Sequence, residues 1–182
     1  MRKLTTSIAD RIPCKKLYKL AVVGAGGVGK STLIARLVTG EFLDKTMTVG
    51  FDVESWTVQE DDTGCIKVAM FDFGGEKQFR FFQGSLIIGS KVALVVFDCC
   101  SYRSLMQLDE WIQIIDTIPN EHRLLVGTKM DMENRMDITE IEEHATSLDI
   151  DYVLVSSKTG KNFDLLHSKL QSILKSTDGD EE

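Results

Sequence analysis

The sequence predicts an α/β fold: a mostly parallel six-stranded sheet with one antiparallel hairpin strand and helices on both faces. Three observations predict it. Short apolar strands alternate with helical periodicity along the chain. Residues 92–97, Val-Ala-Leu-Val-Val-Phe, are apolar without a break, as a parallel strand covered on both faces requires. A polar turn, Glu60-Asp61-Asp62-Thr63-Gly64, joins two neighbouring strand patterns into a hairpin. The 182 residues suit one domain, and 43% hydrophobic against 27% charged residues supply a sizeable core and exclude wholesale disorder.

Taken in order, residues 18–23 read as the first strand and 30–39 as the first helix. Residues 49–58 and 65–71 are the hairpin strands, and a short helix falls near 78–85. The strand 92–97 leads into a helix over 102–115, stopped with the help of Pro119. A strand at 123–127, a helix near 138–147, a strand at 152–155 and a helix at 163–174 complete the pattern. Helical crossovers between parallel strands place ligands beyond the carboxyl ends of the strands.

The ends differ in charge from the middle. Residues 1–17 form an N-terminal extension with Arg2, Lys3, Arg11, Lys15 and Lys16 against Asp10; residues 18–175 are the domain; residues 176–182 are an acidic tail. The formal charge of −7 gives no support to nucleic acid as a partner. No apolar run approaches the roughly 20 residues that cross a bilayer, and no signal-peptide pattern opens the chain. Cys14, Cys65, Cys99 and Cys100 show neither a disulfide framework nor a zinc spacing, so a reducing, cytoplasmic location is expected.

Residues 24–31, Gly-Ala-Gly-Gly-Val-Gly-Lys-Ser, satisfy the pattern Gly-x-x-x-x-Gly-Lys-[Ser/Thr], with a strand before it and a helix beginning within it. Gly26, Gly27 and Gly29 let the backbone curl. Its amides, with those of Val28 and Thr32, then face one anion at a helix N-terminus. Lys30 supplies a point charge to the β- and γ-phosphates, and Ser31 a hydroxyl for Mg²⁺. A dinucleotide-binding loop fits less well, because its glycine fingerprint lacks the Lys-Ser ending. The expected architecture is therefore a P-loop nucleotide hydrolase fold. Such a fold needs a metal-side acid on a neighbouring strand. Asp72 ends the second hairpin strand, holding Mg²⁺ through a water, and Gly75 brings a bare amide toward the γ-phosphate.

Asp72-Phe73-Gly74-Gly75 is flanked in order by Thr48-Val49-Gly50-Phe51, Thr128-Lys129-Met130-Asp131 and Ser156-Ser157-Lys158. With the phosphate loop, these segments make the chain resemble a small GTPase of the Ras superfamily over about residues 18–175. The resemblance implies GTP as substrate, GDP as product and Mg²⁺ as cofactor. It casts Lys30, Thr48, Gly75 and Glu76 as the catalytic group, and Ser31, Thr48 and Asp72 as metal-side residues. Thr48 would bind Mg²⁺ and the γ-phosphate only in the triphosphate state, with Thr46 a nearby competitor. Phe42, eleven residues after Ser31, corresponds to an aromatic residue against the edge of the guanine. Asp131 accepts from guanine N1–H and the exocyclic amine together, a pairing that adenine cannot offer. Lys129 lays its stem along the base and ties back to the phosphate loop. The loop opening at Ser156 brings the backbone near Ser157 and Lys158 to the guanine O6. Thr128 stands where asparagine is frequent, and Ser157 where alanine is usual.

Two departures matter. Glu76 replaces a glutamine that orients the attacking water; an ionised carboxylate accepts but does not donate, so intrinsic hydrolysis is expected to be slow. Branch features are also mixed. Gly40-Glu41-Phe42 and Gly50-Phe51-Asp52-Val53-Glu54 resemble Arf-like chains, while Phe79-Arg80-Phe81-Phe82 looks Rab- or Ras-like, so a divergent member is expected. Effectors, exchange factors and GTPase-activating proteins are the implied partners. No prenylation cysteine closes the chain and Arg2 excludes an N-myristoylation glycine, leaving weak, salt-sensitive membrane contact through the basic N-terminus. The competing functions are a P-loop ATPase or nucleotide kinase, and a GTP-bound interaction module that does not hydrolyse.

Overall fold

Alternation within the central strands sorts their side chains to the two faces of one sheet. The computed structural model describes residues 14–61, 64–75, 80–133 and 135–177. Its strands are β1 (Cys14–Gly24), β2 (Phe51–Asp61), β3 (Gly64–Phe73), β4 (Val92–Asp98), β5 (Arg123–Thr128) and β6 (Tyr152–Leu154). They lie in the order β2-β3-β1-β4-β5-β6, with β2 antiparallel to β3 and the other pairs parallel. The helices are α1 (Lys30–Thr39), α2 (Arg80–Ile87), α3 (Tyr102–Met106), α4 (Leu108–Ile114), α5 (Ile138–Leu148) and α6 (Phe163–Ser176). The expected α/β fold, with helices on both faces and one antiparallel hairpin strand, is the fold observed.

Leu20, Val22, Val92, Leu94 and Val96 face one core with Leu33, Ile34 and Leu37 of α1 and Leu166, Leu170 and Leu174 of α6. Their neighbours Ala21, Val23, Ala93, Val95 and Phe97 face the other, with Ile87, Leu105, Leu108, Trp111 and Ile141. The period of two on the strands and the three-to-four spacing on α6 thus serve the same two-faced burial. Every parallel strand ends on the same rim. That rim carries Gly24, Asp72, Asp98, Thr128 and the loop after Leu154.

Three differences from the sequence reading have physical causes. First, β1 starts at Cys14 rather than residue 18, because the β3 edge pairs with it from Cys65 onward regardless of polarity. Second, the helix expected over 102–115 is two helices. Ser101 caps α3 by accepting from the Ser104 N–H at 3.3 Å, and the Ser104 hydroxyl donates back to the Ser101 carbonyl at 2.7 Å. The Asp98 N–H also bonds the Ser104 hydroxyl at 3.0 Å, so the first turn is pinned to the end of β4. Gln107, with ψ −2°, then resets the register so that Leu108 and Trp111 point into the core beside Leu105. Third, Cys65 is disulfide-bonded, while Cys99 and Cys100 are free. Sheet register, which spacing along the chain does not show, sets Cys65 opposite Cys14.

Candidate nucleotide site

The phosphate loop leaves β1 at Gly24, where a side chain is impossible: a Cβ would fall 2.2 Å from the Val96 carbonyl oxygen. The loop enters α1 through Gly29 at φ 94°, a left-handed conformation that glycine adopts freely. Lys30 is buried and donates to the carbonyls of Gly24 at 2.9 Å and Ala25 at 2.8 Å. Burial lowers its pKa from 10.5 to about 8, against the opposing pull of Asp72.

Next to it, three oxygen-bearing side chains converge from three elements. The Ser31 hydroxyl donates to Asp72 Oδ2 at 2.5 Å and lies 2.8 Å from the Thr48 hydroxyl. Thr48 also donates to Asp72 Oδ2, at 3.2 Å. Asp72 is buried, and its Oδ1 has no hydrogen-bond partner among the described residues. An orphaned buried carboxylate oxygen beside two hydroxyls is a hard-oxygen donor set, which fits Mg²⁺. Thr46 lines the same cavity of about 220 Å³, but Thr48 is the threonine against Ser31 and Asp72.

Gly74 and Gly75 close the cavity from the β3 side. The Gly74 N–H donates to the Gly50 carbonyl at 2.8 Å, stitching the loop before β2 to the loop after β3. A Cβ on Gly75 would fall 2.1 Å from the Gly26 nitrogen, so this loop lies directly on the phosphate loop. Glu76, the following residue, lies outside the described residues.

A second cavity, of about 190 Å³, continues from the first past Gly29 and Lys129. Its walls include Thr32, Phe42, Thr128, Asp131, Ser157 and Lys158. The Thr128 hydroxyl donates to the Val28 carbonyl at 2.6 Å, locking the end of β5 to the phosphate loop. Lys129, at φ 61°, turns its side chain back so that Nζ donates to the Gly27 carbonyl at 3.0 Å. Asp131 is exposed, and its Oδ1 accepts from the Ser156 hydroxyl at 2.6 Å. The structure thus brings together every sequence-predicted site residue except Glu76.

Asp98 was missed. It pairs with Lys129 at 2.7 Å, and the signal that marks Asp72, an acid ending a buried strand, was available for it too.

A parallel sheet whose β1 runs into a glycine-rich loop and α1, with an acid at the end of β3, defines a P-loop nucleotide-binding protein. Residues 19–176 match a family model described as Ras: Ras family, and the chain belongs to that family. Membership supports a GTP-binding, GTP-hydrolysing switch as its general function.

Proposed function

We propose that this chain is a Mg²⁺-dependent GTPase switch with slow intrinsic hydrolysis, belonging to no standard branch of its superfamily. The observation that carries the reading is the pair of adjoining cavities. One is lined by Lys30, Ser31 and Thr48, whose two hydroxyls are bonded to Asp72 Oδ2, and the other by Asp131 and Phe42. Triphosphate and metal belong in the first and guanine in the second. Bound Mg²⁺, held by Ser31, Thr48 and Asp72, would neutralise phosphate charge. The chain's own groups do the rest. Lys30 and the amides of residues 26–32 hold the phosphates, and the Gly75 amide meets the γ-phosphate oxygen. Asp131 selects guanine, Lys129 lies along the base, and the loop from Ser156 to Lys158 meets O6.

Glu76 adjoins the attacking water in this reading. It accepts a hydrogen bond from the water but adds negative charge beside the γ-phosphate, which makes hydrolysis slow without a cation from a partner. Effectors, exchange factors and activating proteins act on residues 43–50 and on the loop after β3. The domain runs from β1 to α6, and its cytoplasmic placement follows from the GTPase reading rather than from the cysteines, since Cys65 is disulfide-bonded. No helix among the described residues is long and apolar enough to cross a membrane.

Single-turnover hydrolysis of loaded GTP tests the reading, with Mg²⁺ or with EDTA. The wild type should convert GTP slowly and only with Mg²⁺, and Glu76→Gln should be about tenfold faster, the worth of one regained hydrogen bond in the transition state. Fast wild-type turnover overturns the role of Glu76. GTP retained without any hydrolysis, in both proteins, would make the chain a non-hydrolysing module instead.

A further inference from the structure

Asp98 is the last residue of β4, as Asp72 is the last but one of β3, and both of its carboxylate oxygens are engaged. Oδ1 accepts from the Cys100 N–H at 2.8 Å, and Oδ2 accepts from Lys129 Nζ at 2.7 Å. The same ammonium donates to the Gly27 carbonyl at 3.0 Å. The Asp98 side chain is only 13% exposed, against 41% for Lys129, so the acid is the fixed half of the pair. Strand register explains the placement: β4 pairs with β5 as far as Asp98↔Thr128, which sets the carboxylate beside the turn that carries Lys129. Lys129 lines both nucleotide cavities, whereas Asp98 lines neither. It borders a separate cavity behind Gly26 and Gly27.

We propose that Asp98 is a positioning residue that holds Lys129 taut between the base cavity and the phosphate loop. The two halves of the nucleotide site then release their ligand as one unit. This rests on the guanine-nucleotide reading of the site. A lysine stem has many rotamers, and a neutral carbonyl alone is a weak anchor for a partly exposed ammonium. A largely buried carboxylate adds a charge-assisted bond that selects the one rotamer crossing the cavity floor. The left-handed backbone at Lys129 makes that anchor more important, because a residue with a Cβ is strained there.

The experiment follows release of a fluorescent GDP analogue from the full-length chain in Mg²⁺. Asp98→Ala should speed release about tenfold, a charge-assisted bond discounted for partial exposure. The preference for GTP over ATP should stay as it was, since Asp131 is untouched. In a Lys129→Ala background the same substitution should change release less than twofold, because nothing remains to be positioned. Full, multiplicative effects in the double variant would show a merely structural role and overturn the proposal. Asp98→Asn keeps the shape and the Cys100 contact while removing the charge, so it carries the test if the alanine variant does not fold. Release from it at the wild-type rate also overturns the proposal. A wild type that binds no guanine nucleotide overturns the underlying reading as well, whereas binding with unchanged release in the variants overturns only this one.

Discussion

Asp131, which the proposed function assigns to the base, is held in place before any ligand is present. Its Oδ1 is held by the Ser156 hydroxyl, which in turn accepts the Thr159 N–H at 3.1 Å. The carboxylate is therefore fixed at the wall of the second cavity, where, in the proposed reading, a base would meet it. Exchanging it for an amide replaces an acceptor by a donor that meets N1–H head on. Asp131→Asn should weaken GTP binding by about 1.5–3 kcal/mol, roughly tenfold to 150-fold. Binding of xanthosine triphosphate, whose carbonyl accepts from the amide, should improve in a competition assay. Unchanged GTP affinity would remove Asp131 from base recognition. Motif spacing showed these residues, because each lies within a few positions of its motif partners. Contacts such as Asp98–Lys129, across 31 positions, become visible only when β4 and β5 are set side by side.

Elements are joined by contacts that no local pattern announces. Trp56, buried on β2, meets the His167 ring of α6 edge-on, with centroids 5.1 Å apart and planes at 68°. This contact ties the last helix to the β2–β3 hairpin. Burial pushes the His167 pKa below 6.5, and the Asp164 carboxylate opposes that shift. A lowered folded value means the unfolded chain binds the proton more readily. Stability from this site is therefore full above 6.5 and is lost as pH falls through that value. Thermal unfolding of the wild type should drop more steeply between pH 7.5 and about 5.5 than that of His167→Gln. Parallel pH profiles would mean that the histidine stays unperturbed. The strands and helices themselves were legible, since burial on two faces writes continuous apolar runs into β4 and β5 and a clear period into α1 and α6. The break at Gln107 was not. It comes from Ser101 and Ser104 bonding to each other and to the end of β4, and the apolar spacing of Leu105, Leu108 and Trp111 reads as one helix.

At the scale of the whole molecule the sheet and its helices form a fixed frame, and among the described residues, 43–50 form a segment outside it. Few contacts retain it: Thr48 with Ser31 and Asp72, the Gly74 N–H to the Gly50 carbonyl, and a 4.0 Å ion pair from Lys45 to Glu54. The last, between half-exposed partners, contributes little. Met47 and Val49 stay exposed, so hydrophobic burial does not secure the loop either. Ordering residues 43–50 costs about 1–2 kcal/mol per residue in backbone entropy, which a few hydrogen bonds of about 1 kcal/mol each do not offset. In the proposed reading a γ-phosphate and a metal at Thr48 would add the missing interactions, and their loss on hydrolysis would reverse the balance. Thr48→Ala should therefore leave GDP affinity within about twofold. It should weaken a non-hydrolysable GTP analogue about tenfold, the worth of a metal-side hydroxyl contact. Hydrogen exchange on the wild type should show residues 43–50 and Gly74–Gly75 better protected with the analogue than with GDP, and that difference should shrink in Thr48→Ala. Equal exchange in the two loaded states of the wild type would leave a nucleotide-binding protein with no switch.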